Sequence, residues 1–289
     1  MELETPLSLL WDCDDPVDPL LVEDMFRQLE SIPILSIHLT LDGAIPPWLW
    51  DLLDDQSILP GRRILLTIPL EHVSTGTTPR RVQSTFLAIR SASELDRLPS
   101  PTGASGISLP TTFPHDPACF ISLLGRAYDR GIRTIHVPIP RSASPYSRSI
   151  PTPEGYGRLT RHAATRQLPD DLRLIVHDPF LWEALHPGRG GWSSGCQGGN
   201  AQIHIDGRGI VRGCPLIPAP LGDITQTPLG EILAGEERRR LREALRLIPD
   251  ECLRCERVSR CQGGCRGRGR VTGRDPLCPH LPAVRGTIG

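Results

Sequence analysis

Seven of the nine cysteines lie in the last third of the chain. Thiolates are soft ligands that suit iron–sulfur clusters and zinc. A Cys-x2-Cys pair brings two sulfurs to one metal centre from a single tight turn. The sequence therefore predicts metal-bound thiolates, with iron–sulfur clusters and a four-thiolate zinc site as the two interpretations. The spacing is Cys196-x12-Gly209-x4-Cys214, a gap of 37 residues, then Cys252-x2-Cys255-x5-Cys261-x3-Cys265-x12-Cys278.

Glycines and arginines surround these cysteines. Glycine lets the backbone pass close to sulfur and point N–H groups at it. A cluster with four thiolates is anionic, so nearby arginines are candidates to compensate its charge; a solvated surface is their alternative role. The glycines are Gly198, Gly199, Gly213, Gly263, Gly264, Gly267 and Gly269. The arginines are Arg254, Arg257, Arg260, Arg266 and Arg268.

This pattern resembles the SPASM domain, the auxiliary-cluster module at the C-terminus of many radical-SAM peptide-modifying enzymes. The resemblance covers roughly residues 190–280. It extends to the phrases Gly213-Cys214-Pro215, Leu221-Gly222-Asp223-Ile224, Leu229-Gly230-Glu231-Ile232-Leu233 and Cys261-Gln262-Gly263-Gly264-Cys265-Arg266.

The resemblance implies two clusters, of the [4Fe-4S] type, with interleaved ligands. One complete cluster would be held by Cys252, Cys255, Cys261 and Cys278. The other would be held by Cys196, Cys214 and Cys265, and its fourth ligand is unknown because residues 188–195 contain no cysteine. An open site, a smaller cluster, or a ligand borrowed from His186 or Cys119 are the alternatives.

The first 185 residues alternate strand-like and helix-like patterns. Short apolar runs are typical of parallel strands that are covered on both faces. Six or so βα units predict a parallel sheet, either open or curved into a partial barrel. The predicted strands are residues 7–11, 34–41, 63–68, 84–89, 106–109, 133–138 and 172–176. The predicted helical faces are Leu21, Met25 and Leu29, then Phe120, Leu123, Leu124 and Ala127, with weaker helices at 46–53 and 153–164.

After His186 the pattern changes, and Gly188-Arg189-Gly190-Gly191 is a candidate linker. We therefore predict two domains, residues 1–188 and 189–289. The second is expected to be a small irregular module with one clear helix, capped by Thr227 with Pro228 in its first turn. Its buried face is predicted to be Leu229, Ile232 and Leu233.

The attachment to a SPASM-like tail suggests that the front half resembles a radical-SAM partial (βα)6 TIM-like barrel. Members of that family carry Cys-x3-Cys-x2-Cys after the first strand, where it binds the cluster that holds S-adenosylmethionine. Counting from Cys13, the positions of the second and third cysteines hold Val17 and Leu20. Residues 41–45 stand where the family's glycine-glycine-glutamate segment is expected, after the second strand. The barrel is thus predicted to be degenerate, and no S-adenosylmethionine is expected.

Two further features of this half have predicted roles. His177 and Asp178 follow a predicted strand, where they either line the former active cavity or tie the last strand to the linker. Cys119 lies on a helical apolar face and is predicted to be a core residue.

Composition adds limits on location and partners. All 32 basic residues are arginine, and the formal net charge is −1. Residues 1–60 carry 13 Asp or Glu against Arg27, whereas residues 252–289 carry eight Arg against Glu256 and Asp275. The sequence contains no long apolar run and no aromatic platform beside its basic residues, so neither a membrane nor a nucleic acid is an expected partner. The acidic start argues against a secretory signal and favours the cytoplasm.

These observations predict a non-catalytic iron–sulfur accessory protein, similar to the SPASM-domain protein of GeoRSP-type peptide-maturation systems. Its expected partners are a radical-SAM/SPASM enzyme and a ribosomally made peptide, served by electron relay or substrate presentation. No catalytic residue is assigned, and whether the chain is an enzyme by itself stays open. The alternatives are a SAM-independent enzyme that uses the incompletely ligated cluster and a structural zinc-binding scaffold.

Overall fold

A computed structural model describes residues 5–13, 18–72, 78–98, 104–109, 117–139, 153–166, 168–186 and 195–278. Its centre is a single sheet of ten strands in the order β10-β9-β8-β1-β2-β3-β4-β5-β6-β7. The first seven strands pair in parallel with their sequence neighbours, as expected when each crossover returns the chain to the same edge. These strands are β1 (Ser8–Cys13), β2 (Ser36–Leu41), β3 (Arg63–Pro69), β4 (Val82–Ala88), β5 (Gly106–Ser108), β6 (Thr134–Val137) and β7 (Arg173–Val176).

All seven predicted strands are therefore confirmed, each within two residues of its expected bounds. The helices of this half follow the predicted apolar faces, and Met25, Leu29, Phe120, Leu123, Leu124 and Ala127 are buried. Leu21 is only partly buried, because Val22 and Phe26 supply the rest of the first face. The helices are α1 (Pro19–Ser31), α2 (Pro47–Asp54), α3 (Ala92–Asp96), α4 (Pro117–Asp129), α5 (Pro153–Thr165) and α6 (Pro179–Leu185).

The two faces of the parallel sheet differ in chemistry. In β1, Leu9, Trp11 and Cys13 are buried toward the helices, and the Trp11 ring lies 6.4 Å from that of Phe26 in α1. The alternate residues of β1 face one cavity. This cavity receives side chains from the seven parallel strands named above and from an eighth, residues 202–205, which pairs in parallel with β1. The sheet must therefore curve around this cavity, as expected of a partial barrel.

The cysteine-rich region extends the same sheet. Strand β8 (Gln202–Ile205) pairs in parallel with β1, and β9 (Ile210–Arg212) and β10 (Pro220–Asp223) continue it in antiparallel order. The candidate linker at 188–191 lies outside the described residues, and the boundary at 188 stays a prediction. The pairing of β8 with β1 connects the cysteine-rich region to the barrel through backbone hydrogen bonds.

Helix α7 (Leu229–Ala234) begins one residue later than the sequence indicates. The predicted cap at Thr227 is wrong, since Pro228 occupies the cap position without a side-chain hydrogen bond. The backbone N–H of Leu229 instead donates to Oε1 of Gln28 in α1, at 2.6 Å. A barrel side chain thus replaces the local cap. The buried face is the predicted one, Leu229, Ile232 and Leu233.

A second helix, α8 (Glu236–Arg246), follows at once and was not predicted. Its buried positions include Arg238 and Arg242, so its inner face does not read as apolar. Beyond it, the described residues 247–278 hold a 3-10 turn (Asp250–Cys252) and the short α9 (Val258–Cys261) as their only helical elements. Across the described residues, none of the helices combines the length and apolarity needed to cross a membrane.

Candidate functional site

Cys196, Cys214 and Cys265 form one group of thiols. Cys196 precedes β8, Cys214 follows β9, and Cys265 lies four residues beyond Cys261. Burial raises the pKa of the Cys214 thiol well above its usual value, and the neighbouring Cys196 and Cys265 raise it further. Burial likewise raises the pKa of Cys265 to about 12, with Cys196 adding to the effect. The three thiols therefore influence one another electrostatically, and their joint ligation of one cluster stays a prediction.

The other four cysteines form a second group. Burial raises the pKa of Cys252 to about 11, and Cys261, Cys278 and Cys255 each raise it further. The pKa of Cys261 is raised by burial and by Cys255. Each of these thiols therefore interacts with cysteines of its own group. The thiols thus influence one another within two groups, and the assignment of one cluster to each group stays a prediction.

The raised pKa values have a chemical consequence. Buried thiols without a metal stay protonated, whereas metal ligation needs thiolates. Several thiolates can share such a site only when cations such as iron compensate them. The donor set thus fits a group that brings its own positive charge.

Backbone N–H groups point at several of these sulfurs. Cys214 accepts from the N–H groups of Leu216 and Ile217, and Cys261 accepts from those of Gly263 and Gly264. Such hydrogen bonds stabilise thiolate charge and tune a bound cluster. The predicted role of the glycines is thereby supported at these positions.

Glycine is required at position 264 for a second reason. Its φ is +77°, and a Cβ there would lie 2.7 Å from Cβ of Asp275 and 2.8 Å from Cζ of Phe180. A side chain at 264 would push the ligand loop off both neighbours. The adjacent Cys265 would then lose its position.

A single-ion site has a different geometry. Within the described ranges, no three His, Cys, Asp or Glu side chains converge closely enough to hold one metal ion. Ligands of a polynuclear cluster need not converge in this way, because each thiolate binds a different iron. The two groups fit that looser requirement.

Residues 196–256 match the SPASM family. The family is described as an iron–sulfur cluster-binding domain, and the match contains Cys196, Cys214, Cys252 and Cys255. Iron–sulfur binding is therefore the chemistry that the SPASM match implies. No curated protein matches the chain significantly.

Solved radical-SAM structures share the fold of nearly the whole chain. Streptococcus suis SuiB bound to its precursor peptide SuiA aligns with a TM-score of 0.67 and 13% identity, over 97% of this chain and 77% of SuiB. SuiB bound to S-adenosylmethionine aligns with a TM-score of 0.66 and 13% identity, over 96% and 76%. Native anSMEcpe with bound AdoMet gives a TM-score of 0.60 and 12% identity, over 94% of each chain.

These identities are low, so the likeness establishes the fold. The chain has the TIM-like α/β fold of radical-SAM enzymes, followed by a C-terminal SPASM domain. The predicted fold class is confirmed. These alignments do not test the missing cysteine motif, which is a property of the sequence.

The barrel cavity has a volume of about 570 Å³ and contains four imidazoles. His38 Nε2 lies 2.8 Å from Thr67 Oγ1, His177 Nε2 lies 2.9 Å from Gln202 Oε1, and the His38 and His136 rings are 5.0 Å apart. Burial lowers the pKa of His38 to about 4 and also lowers the pKa of His136 and His177. These three rings are therefore neutral near pH 7. The fourth is His204 of β8, which pairs with Asp12 at 2.9 Å.

The end of β1 presents Asp12, rather than Cys13, to this cavity. Asp12 lines it, whereas Cys13 is 4% exposed and packs in the apolar core. Residues 14–17, where the next cysteine of the radical-SAM motif would stand, lie outside the described residues; the sequence has Val17 there. Cys13 thus points away from this cavity.

Asp178 joins the cavity wall to the SPASM region. Its carboxylate caps α6, accepts from the Tyr156 hydroxyl at 2.8 Å and pairs with Arg268. Arg268 also pairs with the fully buried Asp275, and Asp275 accepts from the backbone N–H of Cys265 at 2.8 Å. His177 therefore lines the cavity and Asp178 connects it to the SPASM region, while the linker to which the pair could tie the last strand lies outside the described residues.

The structure also describes Cys119 and His186, the two residues named as candidates for a borrowed ligand. Cys119 is exposed, so its predicted core position is wrong; the apolar face of α4 lies at Phe120, Leu123 and Leu124 instead. His186 stacks on Trp182 with ring centroids 4.6 Å apart, and its Nδ1 lies 3.1 Å from the Trp182 carbonyl. Those contacts do not point to a cluster ligand.

The five arginines near the cysteines divide into two classes. Arg266 and Arg268 are buried, at 1% and 4% exposure, whereas Arg254, Arg257 and Arg260 are exposed. Sequence reasoning named all five and could not separate them. The available signal was the glycine run around 266 and 268, which marks tightly packed backbone.

Proposed function

We propose that the chain is a non-catalytic iron–sulfur accessory protein that partners a radical-SAM enzyme in peptide modification. In this proposal, residues 189–289 hold two [4Fe-4S] clusters and residues 1–188 provide a barrel that no longer cleaves S-adenosylmethionine. The clusters relay electrons to the catalytic partner, or the barrel presents the peptide to it. The expected compartment is the cytoplasm.

The observation that carries this proposal is the direction of β1. Asp12 faces the cavity and Cys13 faces the core, while the seven cysteines after residue 195 influence one another within two groups. A chain that keeps the auxiliary ligands and lacks the cysteines of the catalytic cluster retains electron-transfer chemistry without a radical generator.

Two features support a relay or presenting role. Cys261 and Cys265, from different groups, are four residues apart, so an electron would cross a short path between clusters. The cavity has room for part of a peptide and offers several uncharged hydrogen-bonding groups. The SuiB structure with its precursor peptide SuiA is a precedent for peptide binding on this fold.

A SAM-independent enzyme is the second candidate. The three-thiol group leaves one position of a four-coordinate cluster to another ligand, as a substrate-binding cluster would. The cavity also contains buried polar atoms without protein partners among the described residues, His136 Nδ1 and Gln202 Nε2. A structural zinc scaffold is the third, and metal analysis distinguishes it.

We expect a catalytic radical-SAM protein to be encoded nearby, and its peptide modification with and without this chain tests the proposal. We expect the two proteins to co-purify, and modification to fall sharply when Cys214 is changed to Ser. Cys119→Ser is the control, because Cys119 is exposed and outside both groups. Equal modification by the enzyme alone would end the accessory proposal. Cleavage of S-adenosylmethionine to 5′-deoxyadenosine by this chain alone would overturn the account of its barrel.

A further inference from the structure

Arg266 is a buried arginine in the loop that carries the cluster ligands. Its side chain is 1% exposed. The guanidinium donates to three backbone carbonyls, at 2.6 Å to Leu247, 2.8 Å to Val271 and 3.4 Å to Ala244. Carbonyl groups satisfy its N–H donors but carry no net charge. Its positive charge therefore needs another counterpart.

Arg268, two residues away, shows what that counterpart usually is. Arg268 pairs with two buried carboxylates, Asp178 and Asp275. In the described part of the chain, Arg266 forms no ion pair with a carboxylate. An arginine buried without an anion is costly, since an uncompensated buried charge destabilises a protein by several kcal/mol.

Burial lowers the pKa of the Arg266 guanidinium, and the Cys196 and Cys252 thiols act in the opposite direction, so both thiols are within electrostatic range of it. Cys196 belongs to the three-thiol group and Cys252 to the four-thiol group. The backbone N–H of Arg266 also donates to the sulfur of Cys196. Arg266 thus interacts with a member of each group.

We propose that Arg266 is the shared counter-charge of both iron–sulfur clusters. Its guanidinium, fixed by the carbonyls of Ala244, Leu247 and Val271, offsets the negative charge of each cluster. A nearby positive charge favours the more negative, reduced state, so Arg266 raises both reduction potentials. It also weakens the repulsion between the two clusters when both are reduced. This inference rests on the proposed cluster content and not on the proposed partner.

Redox titration of the cluster-loaded protein, followed by electron paramagnetic resonance, tests the inference. Arg266→Gln removes the charge and retains hydrogen-bonding capacity. We expect both potentials to shift lower, while Arg266→Lys keeps them near the wild-type values. Arg238→Gln is the matched control, since Arg238 is 2% exposed and donates to the carbonyls of Gly199 and Leu233.

The outcomes separate the possible failures. Unchanged potentials in Arg266→Gln, or an equal shift in Arg238→Gln, overturn the role of Arg266 and leave the two-cluster proposal intact. Wild-type protein that holds zinc without sulfide overturns both. If the Arg266→Gln protein is produced without clusters, circular dichroism shows whether its chain is folded. A folded, cluster-depleted chain supports the inference, and an unfolded chain beside a folded Arg238→Gln contradicts it.

Discussion

The barrel cavity and the SPASM region bury polar groups in different ways. In the cavity three buried imidazoles are neutral near pH 7, because desolvation lowers their pKa, and the fourth imidazole, His204, pairs with Asp12. Some of their hydrogen-bonding capacity is unused within the described residues, at His136 Nδ1, His204 Nδ1 and Gln202 Nε2. In the SPASM region the buried Arg268 is paired with the carboxylates of Asp178 and Asp275, while the buried Arg238 and Arg266 donate to backbone carbonyls.

This difference suggests different tasks. Neutral groups with spare capacity can accept a ligand without rearranging fixed ion pairs. Charged groups in a fixed network hold a loop in one geometry, at a high cost if one member is lost. The cavity is therefore suited to a guest, and the SPASM region is suited to a permanent group.

The largest effect is expected where ligands are removed. Cys255→Ala should abolish one cluster, lower the iron content by about half and reduce solubility, because cluster binding supplies much of the folding free energy of so small a region. Iron and sulfide analysis after anaerobic purification measures the loss. Cys119→Ala, at an exposed position, should leave both values unchanged. Full iron content in Cys255→Ala would remove Cys255 from the ligand set.

The next effect concerns the buried ion pairs between the two regions. Arg268→Met leaves Asp178 and Asp275 without their shared cation, so we expect the free energy of unfolding to fall by about 3–5 kcal/mol. Chemical denaturation measures the change. Arg90→Met breaks the exposed pair with Glu71 and should cost less than about 1 kcal/mol. Similar losses of unfolding free energy in both variants would contradict the larger contribution expected of the buried ion pairs.

A smaller effect is expected in the cavity, as a dependence on pH. The pKa of His38 is about 4 in the folded chain and 6.5 in the unfolded chain, so between these values only the unfolded chain binds the proton. The contribution of neutral His38 is complete above pH 6.5 and is lost as the pH falls toward 4, by up to about 3 kcal/mol.

His38→Gln should flatten this part of the pH profile, because glutamine does not titrate and can still reach Thr67. His162→Gln on the surface of α5 is the control and should leave the profile unchanged. Unfolding curves at several pH values, with iron content checked at each, provide the measurement. A His38→Gln profile as steep as that of the wild type would show that cavity burial does not set the acid sensitivity.

The accuracy of sequence reasoning followed the strength of local patterns. The seven strands were predictable because short β-rich runs between turn residues leave few alternatives. The two ligand groups stay a prediction, which rests on the cysteine spacing and on the family resemblance. Helix α8 was missed because buried arginines hide its inner face, and the capping of α7 was missed because Gln28 comes from 201 residues earlier in the chain.

Long-range partners also explain what was missed at the site. The roles of Arg266 and Arg268 depend on contacts with Leu247, Asp178 and Asp275, which no local pattern encodes. The four histidines of the cavity come from β2, β6, the end of β7 and β8, so the sequence separates them widely. The signal that could have found them is the polar alternate position of each strand.

Metal and sulfide content of anaerobically purified protein tests the central claim most directly. Two clusters bound by the two thiol groups predict a brown protein with roughly six to eight irons per chain and a comparable amount of acid-labile sulfide. One or two zinc ions per chain, with no sulfide, would contradict the account of both thiol groups.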